Sequence, residues 1–275
     1  MVKPDLVAFG GSLREPFMAL DGDGTLALIC GTSFAGPSVM RAALGVRALF
    51  GGRLTPLALR ALALHVAEPD HSEFFESCGR GRLPSDLDSI VTCPGYEARV
   101  VYQGELRPGK YLRAQLPLPT GPLPGMVEIR ATLVFATEVD TQDPGNYTRS
   151  GVEIHFRPDM TRYATPQSSM PQTRPFFVAS SHESEVSRRN DGHKWETGLH
   201  RRKRFQGKSL ESSVFDIHYV AREEGHATTS AEKIRYAMVI SVIAPRVFDL
   251  YDRVLRAFVT QLEPLTPVLE LPLRT

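Results

Sequence analysis

Nowhere in this sequence do about 18 apolar residues run without a charge, which argues against a membrane span. The N-terminus, Met1-Val2-Lys3-Pro4-Asp5, has no apolar h-region, so no secretory signal is expected. Cysteine is scarce: Cys30, Cys78 and Cys93 are odd in number and widely spaced. That is neither a disulfide framework nor a zinc pattern, and it suits a reducing cytoplasm. Charge of one sign is lacking too. Lys and Arg total 32 against 31 for Asp and Glu, a net charge of +1, which implies no polyanion partner. No internal repeat is present. Without a secretory signal, the Asn146-Tyr147-Thr148 sequon is read as chance.

What remains is ordinary globular composition, 42% hydrophobic and 23% charged over 275 residues, enough for one large domain or two modest ones. The texture changes near residue 94. Before it, Leu6-Val7-Ala8-Phe9 closed by Gly10-Gly11 reads as a strand entering a loop. Asp21-Gly22-Asp23-Gly24 reads as a turn and Thr25 to Ile29 as a short strand. Helix formers run from Ala35 to Phe50 until Gly51-Gly52 stops them, with Pro37 in the first turn, where a missing N–H costs little. A second helix is capped by Thr55, starts at Pro56 and runs to Val66. It has little polar face and must be covered on most sides. Two apolar helices behind short strands predict the edge of a layered α/β domain over residues 1–94.

From about residue 95, apolar and polar residues alternate. Ala98–Tyr102, Val127–Phe135, Val152–Phe156, Val214–Val220 and Ile234–Ile243 read as strands between Pro/Gly turns, and predict an antiparallel sandwich over 95–275. The polar stretch Thr161 to Gly207 reads as long loops, and Phe248 to Leu262 as a terminal helix.

Chemistry concentrates in Gly31-Thr32-Ser33-Phe34-Ala35-Gly36-Pro37. A nucleophilic serine needs an exposed hydroxyl and backbone donors for a developing oxyanion. A strand-to-helix turn offers both, because the first N–H groups of a helix lack internal partners. Small residues at Gly31, Ala35 and Gly36 let a substrate backbone come close. A nucleophile elbow of the Gly-x-Ser-x-Gly kind does not fit, since Ala35 holds its last glycine position.

The segment resembles the active-site serine signature of the subtilisin-like serine peptidases (subtilases, peptidase family S8), Gly-Thr-Ser-x-Ala-x-Pro before an apolar helix. Thr32, Ser33, Ala35 and Pro37 match it. Lys3-Pro4-Asp5-Leu6-Val7-Ala8-Phe9-Gly10 resembles the strand that precedes that serine, with Phe9 where the family usually has proline. Gly79-Arg80-Gly81-Arg82-Leu83-Pro84 is similar to a passage closing the catalytic domain of members with a C-terminal extension. Tyr102-Gln103-Gly104-Glu105-Leu106, Tyr147-Thr148-Arg149-Ser150-Gly151 and Lys194-Trp195-Glu196 are similar to phrases of that extension in cytoplasmic bacterial members.

The resemblance implies the C-terminal part of a subtilisin-like layered α/β domain followed by an all-β antiparallel sandwich. It implies a serine endopeptidase acting on peptide or protein substrates through Ser33, with Gly31, Thr32 and Ser33 forming the nucleophile turn, and needing no metal or cofactor. The family's triad runs aspartate, histidine, serine along the chain. Here all eight histidines follow Ser33, and no asparagine precedes Asn146. The earlier aspartates, Asp5, Asp21 and Asp23, lie in the block that belongs beside the serine. Base, orienting acid and oxyanion asparagine are therefore missing, and the chain alone is expected to be inactive unless a separate chain supplies the aspartate and histidine. His65 reads as a helix residue, packed or partly exposed, and His71 lies just beyond the helix; neither spacing is one the family uses. His155, His182, His193, His200, His218 and His226 fall in the β region or its loops.

Other constellations read as structure. Arg201-Arg202-Lys203-Arg204, near His200, Phe205 and Trp195, has Glu183, Glu185, Asp191 and Glu196 close by, and is expected to be a solvated loop without nucleic-acid contact. Asp21-Gly22-Asp23-Gly24-Thr25 lacks the glutamate a calcium loop places at its twelfth position, and is expected to be a plain turn. The alternative to a peptidase is a non-catalytic β-sandwich module that binds or targets a partner.

Overall fold

Alternating apolar residues from Glu97 onward build two antiparallel sheets on one core. The computed structural model describes residues 4–68, 78–139, 141–142, 148–177, 196–221 and 233–267. The chain divides into two compact units, one made of Thr55–His65 with Thr92–Leu265, the other of Val2–Leu54 with Val66–Val91 and Thr266–Thr275.

In the first unit, the strands are β3 (Glu97–Leu106), β4 (Tyr111–Gln115), β5 (Met126–Ala136), β6 (Ser150–Arg157), β7 (Gly198–Gln206), β8 (Val214–Ala221) and β9 (Ile234–Ile243). They form a four-stranded sheet of order β3-β9-β5-β7 and a three-stranded sheet of order β4-β8-β6, every pair antiparallel. Strand β9 is buried along nearly its whole length, as befits an apolar run in the middle of a covered sheet. Val127, Ile129, Ala131, Leu133 and Phe135 alternate along β5 and all enter the core. The two sheets meet through aromatic rings. Phe156 of β6 lies 5.2 Å from Phe205 of β7 and 4.9 Å from Phe215 of β8, centre to centre. A C-terminal helix (Leu250–Ala257) adds Leu250 and Val254 to this core.

The helix Pro56–Val66 belongs to this unit up to His65. Thr55 caps it, its hydroxyl accepting from the Ala58 N–H at 3.2 Å, while Thr55 N donates to the Gln103 side chain of β3 at 2.9 Å. Ala58, Ala61, Leu62 and Leu64 are buried, which accounts for a helix without a polar face.

The second unit departs from the expected α/β layering. Its strands β1 (Phe17–Leu20) and β2 (Leu26–Ile29) are four residues each and pair antiparallel, Phe17 opposite Ile29. The turn is the physical reason. Asp21 N donates to Thr25 O at 2.8 Å, Gly24 N to Asp21 O at 2.9 Å, and Gly24 sits at a φ of 84°. A chain reversed this tightly makes a hairpin, whereas parallel strands need a long crossover. The stretch Leu6–Phe9, expected as a strand, contributes one parallel bridge, Val7 to Arg82. Gly79, at a φ of 58°, lets the chain pass Pro4 so closely that a Cβ there would lie 1.9 Å from the Pro4 carbonyl oxygen. The fold is thus mostly antiparallel β, and the subtilisin-like layered α/β fragment is not formed. After β2, a 3-10 turn (Thr32–Phe34) leads into the helix Ala35–Phe50, with the bounds its sequence predicts. Among the described residues no helix is long and apolar enough to cross a membrane.

Candidate active site

Ser33 stands in the 3-10 turn between β2 and the helix Ala35–Phe50, and its residue is exposed, as is Thr32. The turn is held by backbone bonds. Phe34 N donates to Gly31 O at 3.1 Å and Ala35 N to Thr32 O, so the first turn of backbone folds back at Ser33. The two sequence blocks meet here. Gly31 N donates to Gly10 O at 2.8 Å, and a Cβ on Gly10 would lie 2.8 Å from the Gly31 oxygen, a contact only glycine permits. Phe17 fixes the turn from below, its ring 5.4 Å from Phe9 and 5.6 Å from Phe34.

A serine hydroxyl is inert as a nucleophile without a base. Among the described residues of this unit there is no histidine, and the Ser33 hydroxyl makes no side-chain hydrogen bond. The Asp23 carboxylate, lowered by the Thr25 hydroxyl and then the Thr25 N–H, is occupied inside the hairpin turn. Gly31, Thr32 and Ser33 therefore form the turn, and among the described residues no triad surrounds them.

The described histidines serve elsewhere, in the other unit. His65 is wholly buried. Its Nδ1 lies 2.9 Å from Thr132 Oγ1 and its Nε2 2.8 Å from Ser241 Oγ. Ser241 donates to Glu97 Oε1 at 2.7 Å, Arg99 joins both, and His200 Nδ1 lies 2.7 Å from Thr132 Oγ1. Burial, and after it the charges of Arg99 and His200, hold His65 well below its ordinary 6.5, so it stays neutral. Cys93 is pushed up to about 11, chiefly by burial, and is an inert thiol. The network ties the helix Pro56–Val66 to the outer face of the four-stranded sheet. A His–Ser pair sealed from solvent in this way offers no path to a substrate.

The three-stranded sheet carries a second polar cluster that no sequence motif announces. Asp216 of β8 is buried and accepts from Arg113 at 2.7 and 3.0 Å and from Arg157 at 2.7 Å. Burial raises its carboxyl, but the hydrogen bonds from Arg113 and then Arg157 outweigh it, and the net effect lies below the ordinary 3.8. Only strand register reveals it, since Arg113 stands opposite Asp216.

The basic run Arg201–Arg204 is part of β7, an edge strand, rather than a loop. Arg201 and Lys203 donate to the carbonyls of Phe177 and Pro175, while Arg204 pairs with Glu128 at 3.3 Å. His71, Asn146, Tyr147, His182, Glu183, Glu185, Asp191, His193, Lys194, Trp195 and His226 lie outside the described residues. Cys30, Cys78 and Cys93 are free. Among the described residues no cluster of ligating side chains could hold a metal ion.

No family model matches this sequence, and no curated protein matches it. Among solved structures it is similar to two from infectious bursal disease virus, that of the Gt strain and that of the VP2 subviral particle. Each shares 9% identity at a TM-score of 0.31, over 57% of this chain and 35% of the viral chain. The chain thus spans about a third of the length of the viral chains it matches.

Proposed function

We propose that Ser33 is the nucleophile of a serine endopeptidase of the subtilase kind, cytoplasmic and acting on peptide or protein substrates. The observation that carries this reading is an exposed serine at a strand-to-helix turn, within Gly31-Thr32-Ser33-Phe34-Ala35-Gly36-Pro37. The hydroxyl attacks the scissile carbonyl, and the Ser33 backbone N–H donates to the oxygen on which charge develops. The histidine that takes the serine proton, the aspartate that orients it and an asparagine donor come from polypeptide beyond this sequence. By itself the chain hydrolyses nothing. Joined to a separate chain that carries the aspartate, histidine and asparagine, it is expected to cleave a fluorescent casein. Ser33→Ala should then lower kcat by about 10⁴-fold or more. Absence of cleavage by the joined form, or cleavage indifferent to Ser33→Ala, overturns the proposal.

A second reading is favoured by the separate core of the sheet-bearing unit. In it, that unit is a non-catalytic module that binds a partner and needs nothing from Ser33.

A further inference from the structure

Where β5 begins and β7 ends, the chain crosses itself with little room. Gly207 N donates to Gly125 O at 2.8 Å, and a Cβ on Gly207 would lie 2.2 Å from the Leu123 carbonyl oxygen. Gly125 has a φ of 72°, a conformation that favours glycine. Its bare face is occupied by Arg246. A Cβ built there would meet the Arg246 Cδ at 3.0 Å, Nε at 3.1 Å and Cζ at 3.3 Å. The Arg246 side chain therefore passes close over Gly125, placed by the turn after β9 in which Val247 N donates to Ala244 O at 2.9 Å. Arg246, Lys208 and Gln206 line a cleft of about 370 Å³ with Leu123 and Met126.

Two features give this cleft a chemical preference. Arg246 and Lys208 are exposed, and neither makes an ion pair or a side-chain hydrogen bond among the described residues. That contrasts with Arg113, Arg157 and Arg204, each of which has its carboxylate. Two uncompensated cations over low-dielectric walls concentrate positive potential inside a concavity. Beside them, Met126 is 51% exposed and Leu123 closes the apolar side, so the cationic end adjoins a surface that water covers poorly.

We propose that this cleft binds a small organic anion, with a carboxylate or phosphate head on Arg246 and Lys208 and a short aliphatic body over Leu123 and Met126. The guanidinium fork takes two oxygens of the head, the ammonium a further one, and the Gln206 amide is free to donate or accept beside them. The site lies wholly within the sheet-bearing unit and is independent of Ser33 chemistry.

Amide chemical shifts of the full chain, titrated separately with hexanoate, hexyl phosphate, inorganic phosphate and hexanol, test this. Hexanoate or hexyl phosphate should move the amides of Gly125, Met126, Gly207 and Lys208. The tighter of these two identifies the head. Inorganic phosphate and hexanol should bind at least fivefold more weakly than it. In the Arg246→Ala/Lys208→Ala variant, affinity for the tighter probe should fall at least tenfold at an unchanged thermal midpoint. Silence of those four amides with both amphipathic probes overturns the proposal. So does inorganic phosphate or hexanol binding as tightly as the better of them, or a double variant that binds like the parent.

Discussion

Two buried side chains, His65 and Asp216, couple stability to pH, and they do so in the same direction. His65 is neutral in the fold because burial and the nearby Arg99 and His200 oppose its charge, whereas in the unfolded chain it protonates near 6.5. Below that pH the unfolded state binds a proton the folded state refuses. Stability is therefore full above pH 6.5 and falls as pH drops, by about 1.4 kcal/mol per unit. His65→Gln should flatten chemical-denaturation stability between pH 5 and 6.5, and should cost about 1–3 kcal/mol at pH 7.5 through its lost hydrogen bonds. Asp216 works through its charged form. Its carboxyl is depressed in the fold, so its contribution is present above 3.8 and is lost as pH falls through the folded value. Asp216→Ala leaves the Arg157 guanidinium, 7% exposed, without its carboxylate, and should destabilise the chain by about 3–5 kcal/mol at neutral pH. An Asp216→Ala variant as stable as the parent in urea would contradict that account.

At the scale of elements, strong periodicity was readable and exceptions had local causes. The helix Ala35–Phe50 and the strand Ile234–Ile243 follow from their residues alone, because each carries an apolar pattern long enough to set its ends. Strand β7 did not, since Gly-Leu-His-Arg-Arg-Lys-Arg-Phe-Gln reads as a solvated loop. Its cations are accommodated by carbonyls of Pro175 and Phe177, partners far off in sequence that no propensity reports. Strand β4 has only Leu112 and Ala114 to offer the core, and its Arg113 is explained by Asp216, 103 residues away. The hairpin β1–β2 was half legible: its turn was, its pairing was not. The helix Pro56–Val66 shows its burial in sequence but not its partner, the outer face of the four-stranded sheet. A fragment of residues 55–267 should therefore melt cooperatively with the parent's far-ultraviolet strand signal. A fragment of residues 95–267 exposes Thr132 and Ser241 and should melt at least 10 °C lower or fail to fold, as followed by circular dichroism. Equal midpoints would show that the helix is dispensable.

At the scale of the whole molecule, the serine turn and the double sheet are separate compact units with separate chemistry. The serine-bearing unit presents Ser33 with no histidine among its described residues. The sheet-bearing unit holds every described histidine in structural bonds or ring contacts. The signature around Ser33 was legible as a local turn, while the α/β layering the resemblance implies gave way to a hairpin set by Asp21 and Gly24. The account stands on Ser33 being a nucleophile that waits for partners. A fluorophosphonate probe, followed by mass spectrometry of the labelled peptide, tests that most directly. The isolated chain should remain unlabelled, and the chain joined to one that supplies the aspartate, histidine and asparagine should take one label, on Ser33. Rapid stoichiometric labelling of the isolated chain, or a label in the joined form on any residue other than Ser33, would contradict it.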